Sequence, residues 1–141
     1  MNRRPSPVPP RPDIDRRPSG SFGWLQAELL HDGWLAEVGP HAAAVLVLMA
    51  LAADRRGASF FSRQRMAQAL GLSRHEVDAA LQRLLDASLV DHRPWRAGLR
   101  DGVWQLLPPP SRREPERARQ VLTAADVLRS LGFDPLIQGV G

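Results

Sequence analysis

Arginine is the side chain through which this sequence can do chemistry. The chain carries 19 basic residues, all of them arginine. Three groups lie close enough to act together: Arg63 with Arg65; Arg74 with His75, Ala79, Gln82 and Arg83; and Arg93 with Arg96 and Arg100. A guanidinium offers a planar fork of donors that matches phosphate oxygens and the edge of guanine. Glutamine can bond adenine bidentately, and a short alanine admits close approach or a thymine methyl. These residue types suit recognition of nucleic acid. Arg63, Arg65 and Ser73 are the candidates for backbone contact, the set from Arg74 to Arg83 for base edges, and the last group for a gripping loop. Enzymatic chemistry is poorly served. With no cysteine, thiolate zinc sites, cysteine nucleophiles and disulfides are excluded. Histidines 31, 41, 75 and 92 form neither an H-x-x-x-H nor an H-E-x-x-H pattern. Gly57, Gly71 and Gly98 each fit a turn and make no phosphate loop. The expectation is a protein that is not an enzyme, with no metal or cofactor and no evident small-molecule ligand.

The elements that must position these residues follow from periodicity. "FGWLQAELLHDGWLAEVG" reads as two short helical pieces broken near Asp32-Gly33. After Gly39-Pro40, "HAAAVLVLMALAAD" predicts a helix apolar nearly all round and central to the core. A short strand is expected from Ser59 to Phe61. Ser62 then caps a helix over "RQRMAQAL", with Met66, Ala67 and Leu70 inward, and Gly71-Leu72 makes a tight turn. In the next helix, at about 100° per residue, Val77, Ala80, Leu81, Leu84 and Leu85 form the core face. His75, Ala79, Gln82 and Asp86 lie outward, with Arg83 beside them. "LVDHRPW" and "VWQLL" predict two strands joined by the arginine-bearing loop "RAGLRDG". Trp24 and Trp34 are expected against the long helix, and Trp95 and Trp104 on facing strands. An aromatic base-stacking platform is the sharper alternative for these tryptophans, and it requires exposed rings.

Three acids on the outward helix count against a phosphate partner. Glu76 completes a capping box with Ser73, in which each group bonds the other's backbone N–H. Asp86 sits near the far end, away from the part of such a helix that enters a groove. Asp78, on the flank, either accepts from a cytosine amino group or forms a surface ion pair.

Charge divides the chain unevenly. Residues 1–20 hold five arginines against two aspartates, residues 21–108 hold nine against nine acids, and residues 109–141 hold five against four. The basicity sits in the tails. The segment 1–20, with six prolines, is expected to be disordered. Its arginines are followed by no apolar run of the kind a signal peptide needs. The longest apolar stretch, Ala42 to Ala53, is too short to span a bilayer. A cytoplasmic, nucleoid- or plasmid-associated protein without membrane partners is expected. The segment 111–141 carries an apolar stripe at Val121, Ala124, Ala125, Leu128 and Leu131. It is read as a helical piece that docks on the domain or forms a homodimer.

The element order over residues 21–110 is that of a winged helix, an α+β arrangement that is mainly helical with a small β-wing. "FFSRQRMAQALGLSRHEVDAALQRLLDASLV", Phe60 to Val90, resembles the winged helix-turn-helix proteins of plasmids, phages and other mobile elements, and the resemblance covers roughly residues 22–107. It implies binding to double-stranded DNA, as a transcriptional regulator or a plasmid replication or maintenance factor. The neutral balance of residues 21–108 keeps a rival open: a winged helix that serves as a protein-interaction adaptor in replication or segregation machinery.

Overall fold

The computed structural model describes residues 7–112. The segment 113–141, with the expected docking or dimerising stripe, lies outside the described residues, as do residues 1–6. Residues 7–20 form no helix or strand and are exposed throughout. Among the described residues the chain forms five helices and a three-stranded antiparallel sheet, a small α+β fold. The helices are α1 (Glu28–His31), α2 (Trp34–Val38), α3 (Pro40–Ala52), α4 (Arg63–Leu70) and α5 (Arg74–Asp86). The strands are β1 (Ala58–Ser59), β2 (Val90–Pro94) and β3 (Gly102–Leu106), in the spatial order β1-β3-β2.

Helices α3, α4 and α5 enclose the core with one face of the sheet. Val45 and Met49 of α3, Met66 of α4 and Val77, Leu81 and Leu84 of α5 are fully buried, as is Trp104 of β3. The spacing of these residues on each helix is three or four, as an inward stripe requires. Gly71, at φ 67°, ends α4 in the left-handed conformation that glycine adopts without a Cβ penalty. Its near neighbour Ser73 can therefore start α5 at once.

Three details differ from the sequence reading. The first strand is Ala58–Ser59, so Phe60 lies beyond it; Ser59 and Trp104 face inward in register, and the pleat turns Phe60 outward. The long helix is not apolar-packed all round, since Val47 and Leu51 remain 47% and 68% exposed. Trp24 does not pack on that helix either. The chain before α1 approaches it through Gly23, whose missing Cβ lets the backbone sit against the Ala50 carbonyl, and Trp24 is left in solvent. Between this strap, α3 and the turn after β3 runs a largely apolar cleft of about 560 Å³, walled by Trp24, Leu29, Leu46, Leu89 and Leu107.

Candidate nucleic-acid interface

The two helix starts that carry the arginines are built by serine caps. The Arg65 backbone N–H donates to Ser62 Oγ at 3.1 Å. At α5 the capping box is complete: the Glu76 N–H donates to Ser73 Oγ at 3.0 Å, and the Ser73 N–H donates to Glu76 Oε1 at 2.9 Å. The backbone bond from Ser73 is the main reason the Glu76 carboxyl is held below the usual carboxylate range. Its second oxygen meets His41 Nε2 at 3.2 Å. The charge of Glu76 thus closes the helix end.

A seam of charge joins the β2–β3 loop to the two helices. Asp101 Oδ1 accepts from the Arg63 backbone N–H at 3.1 Å, so the loop caps α4 from 38 residues away. Arg63 Nη1 donates to Asp78 Oδ1 at 2.7 Å, and Arg100 Nη1 reaches Asp78 Oδ2 at 3.6 Å. Burial pulls the Asp78 carboxyl upward. The hydrogen bond from Arg63 and the charges of Arg63, Arg100 and Arg74 more than offset this and leave it below the usual range. Asp78 therefore ties α4, α5 and the loop together. The Arg63 guanidinium also lies 5.5 Å over the Trp104 ring, and only 14% of its side chain is exposed. His92 stacks on Trp104 from the neighbouring strand at 4.0 Å between centroids. Burial, then the charge of Arg63, pushes the His92 imidazole below its ordinary value.

The expected site residues fall into three placements. Arg74, His75 and Ala79 are exposed on the first turns of α5, and Arg65 is exposed on α4 with its guanidinium over Phe61 at 4.9 Å. Arg93, Arg96 and Arg100 are exposed on and beside the loop, which the Asp78–Arg100 contact holds next to the same end of α5. The rest are engaged within the fold. Arg63 is committed to the seam, and the Ser73 hydroxyl to the cap. Arg83 Nη1 donates to the Val38 carbonyl at 3.2 Å, and Gln82 Nε2 donates to Asp86 Oδ1 at 2.9 Å.

Three features escape a reading of the sequence. Asp101 caps a helix with no local signal of doing so. His92, opposite Trp104 in register, takes the place expected of Trp95. Trp95 itself closes the loop by donating its backbone N–H to the Asp101 carbonyl at 3.1 Å. Its ring stacks on Phe60 at 6.0 Å, with the two rings 57% and 61% exposed.

Among the described residues no His, Asp or Glu side chains gather as a metal site, and no helix is long and apolar enough to cross a membrane. Comparison with family models, curated proteins and solved structures finds no match to this chain.

Proposed function

We propose that this chain is a winged helix-turn-helix module that binds double-stranded DNA sequence-specifically, as a regulator of transcription or a factor in plasmid replication or maintenance. In this reading α5 is the recognition helix, and the β2–β3 hairpin is the wing. The observation that carries it is that Arg74, His75 and Ala79 lie exposed at the start of α5, where Asp78 of the same helix holds Arg100 of the arginine-bearing β2–β3 loop. The acids there are already engaged: Asp78 with two arginines, Asp101 at the start of α4 and Glu76 in its cap. What remains available to a ligand there is positive. Arg74, His75 and Ala79 would meet base edges, and Gln82 would do so only by releasing Asp86. Arg65 and the wing arginines would meet phosphates and fix register without reading sequence.

A titration of the protein against its own upstream DNA over a salt series tests this. Log K should fall linearly with log salt, with a slope of about 0.9 per phosphate neutralised. Replacing Arg74 and His75 by alanine should weaken the preferred duplex by about 1–3 kcal/mol each and a scrambled duplex much less. Equal weakening of both duplexes would remove α5 as a reader of sequence.

A second reading has its own support. Trp24, Leu30, Val47 and Leu51 are each more than 45% exposed on α1, α3 and the strap. Apolar surface of this kind suits a protein partner, as in an adaptor. Absence of binding to any DNA would favour that reading.

A further inference from the structure

The outer face of the sheet ends in an exposed aromatic pair beside the wing arginines. Ser59, Trp104 and His92 share one register line and turn inward. Val103 and Arg93 pair on the next line and turn outward, as does Phe60 just past the end of β1, since successive side chains alternate. Trp95 follows two residues after Arg93 on the same side, and its ring closes on Phe60 with an interplanar angle of 27°. The two rings are adjacent and near-parallel, yet each keeps more than half of its surface in water, so their apolar faces are only partly used by the fold. No element of the described residues covers them. Arg93 shares this outer face and Arg96 directly follows Trp95, while Arg100 reaches Asp78; of the nearby acids, Asp101 is engaged at the start of α4 and Asp91 lies exposed two residues before Arg93.

Flat, open aromatic faces with exposed arginines on the same strand and in the adjoining loop match one partner chemistry closely. A nucleobase out of its duplex presents a π-face of similar size and is joined to phosphates on either side. A paired base does not, because its faces are already stacked in the helix. We propose that the Phe60–Trp95 pair is a stacking site for an unpaired nucleobase, with Arg93, Arg96 and Arg100 holding the adjoining phosphates. The protein then prefers DNA that is open or frayed next to its wing over the closed duplex. This rests on the DNA-binding reading above and adds to it a preference for opened strands.

The test compares three labelled DNAs of one sequence at one salt concentration: a closed duplex, the same duplex with an unpaired thymidine tail, and the single strand. Fluorescence anisotropy is read for the full chain, Trp95→Ala, Trp95→Phe and Phe60→Ala. The tailed duplex should bind about 5- to 100-fold tighter than the closed one. Trp95→Ala should abolish that advantage while leaving closed-duplex affinity within about twofold, and Trp95→Phe should keep most of it. Both rings are exposed, so far-ultraviolet circular dichroism should be unchanged in every variant. Equal affinity for closed and tailed duplexes would overturn the stacking site and leave the DNA-binding reading standing. Failure of the unaltered chain to bind any of the three DNAs would overturn both. A concentration-dependent dimer in sedimentation that Trp95→Ala dissociates would assign the pair to a second copy of the chain and overturn the stacking site as well.

Discussion

The arginines of the folded part divide into two sets, and the division is not visible in their sequence context. Arg63, Arg83 and Arg112 are built in. Arg63 holds Asp78, Arg83 donates to the Val38 carbonyl, and Arg112 lies 3.4 Å over the Trp34 ring while donating to the Asp32 carbonyl and, at 2.6 Å, to Glu37. Arg74, Arg93 and Arg96 are exposed and make no ion pair among the described residues. A guanidinium that satisfies a partly buried carboxylate or a carbonyl is structural, because its removal strands the partner. One whose fork points into water leaves it open to a phosphate under the proposed reading. The same residue type thus serves as mortar in one place and stands free in another, and the neutral balance of residues 21–108 is compatible with exposed, unpaired arginines.

The largest expected effect breaks the attachment of the β2–β3 hairpin to the first set. Gly102 lies so close to the Arg93 carbonyl and Pro94 that a Cβ cannot be placed without moving backbone. Gly102→Ala should cost about 3 kcal/mol, read as a lower urea midpoint. It should also lower DNA affinity by displacing Asp101 and Arg100. Next in size is the built-in arginine itself. Arg63→Ala removes the charge-assisted bond to Asp78 and the cover over Trp104, and should cost about 2 kcal/mol. Combined with Asp78→Ala, the double variant should be less destabilised than the sum of the two by about 1 kcal/mol. Additive effects would show that the 2.7 Å bond between them contributes nothing and would merge the two sets of arginines into one.

This contrast marks how far the sequence can be read. Helices α3, α4 and α5, both serine caps and the capping box are legible, because each depends on residues within a few positions of one another. The core stripe of Val77, Ala80, Leu81 and Leu84 is legible for the same reason. The roles of Arg63 and Asp78 are not. Their bond spans 15 residues, and the Asp101 cap spans 38, so no local pattern encodes either. The pairing of Trp95 is hidden by register. The register sets His92, three residues before Trp95, opposite Trp104, and leaves Trp95 just past the end of β2 with its ring on Phe60. Apolar residues at 47 and 51 read as core because periodicity cannot tell a helix wrapped on all sides from one covered on three.

His92 provides a smaller test of the seam. Burial and the neighbouring Arg63 charge hold its imidazole below the ordinary value of about 6.5. The unfolded chain therefore takes up a proton first as pH falls. Stability is fully present above about pH 6.5 and declines below it, toward the folded value. Urea midpoints measured near pH 7.5 and about pH 5.5 should differ, and His92→Phe should reduce the difference while keeping a ring against Trp104. An unchanged difference in that variant would place the pH dependence elsewhere. Arg63→Ala should also shrink it, since one of the two causes is then removed.

The smallest effect on stability should come from the exposed loop arginines Arg96 and Arg100, and it separates gripping from building most directly. Arg96 is exposed and makes no hydrogen bond with its side chain among the described residues. Arg100 is 72% exposed and meets Asp78 only at 3.6 Å. Exposed pairs of this kind contribute about 0–1 kcal/mol, so Arg96→Ala with Arg100→Ala should lower stability by less than about 1 kcal/mol. Yet if these side chains neutralise phosphates, each arginine removed takes about 0.9 from the slope of log K against log salt. The double variant should therefore flatten that slope by about one to two while its urea midpoint hardly moves. Arg63→Ala should do the reverse: a clear drop in stability, with a slope unchanged once the protein is assayed under conditions where it is fully folded. A flattened slope in Arg63→Ala would mean that the buried guanidinium meets the DNA, and an unchanged slope in the double variant would remove Arg96 and Arg100 as phosphate contacts.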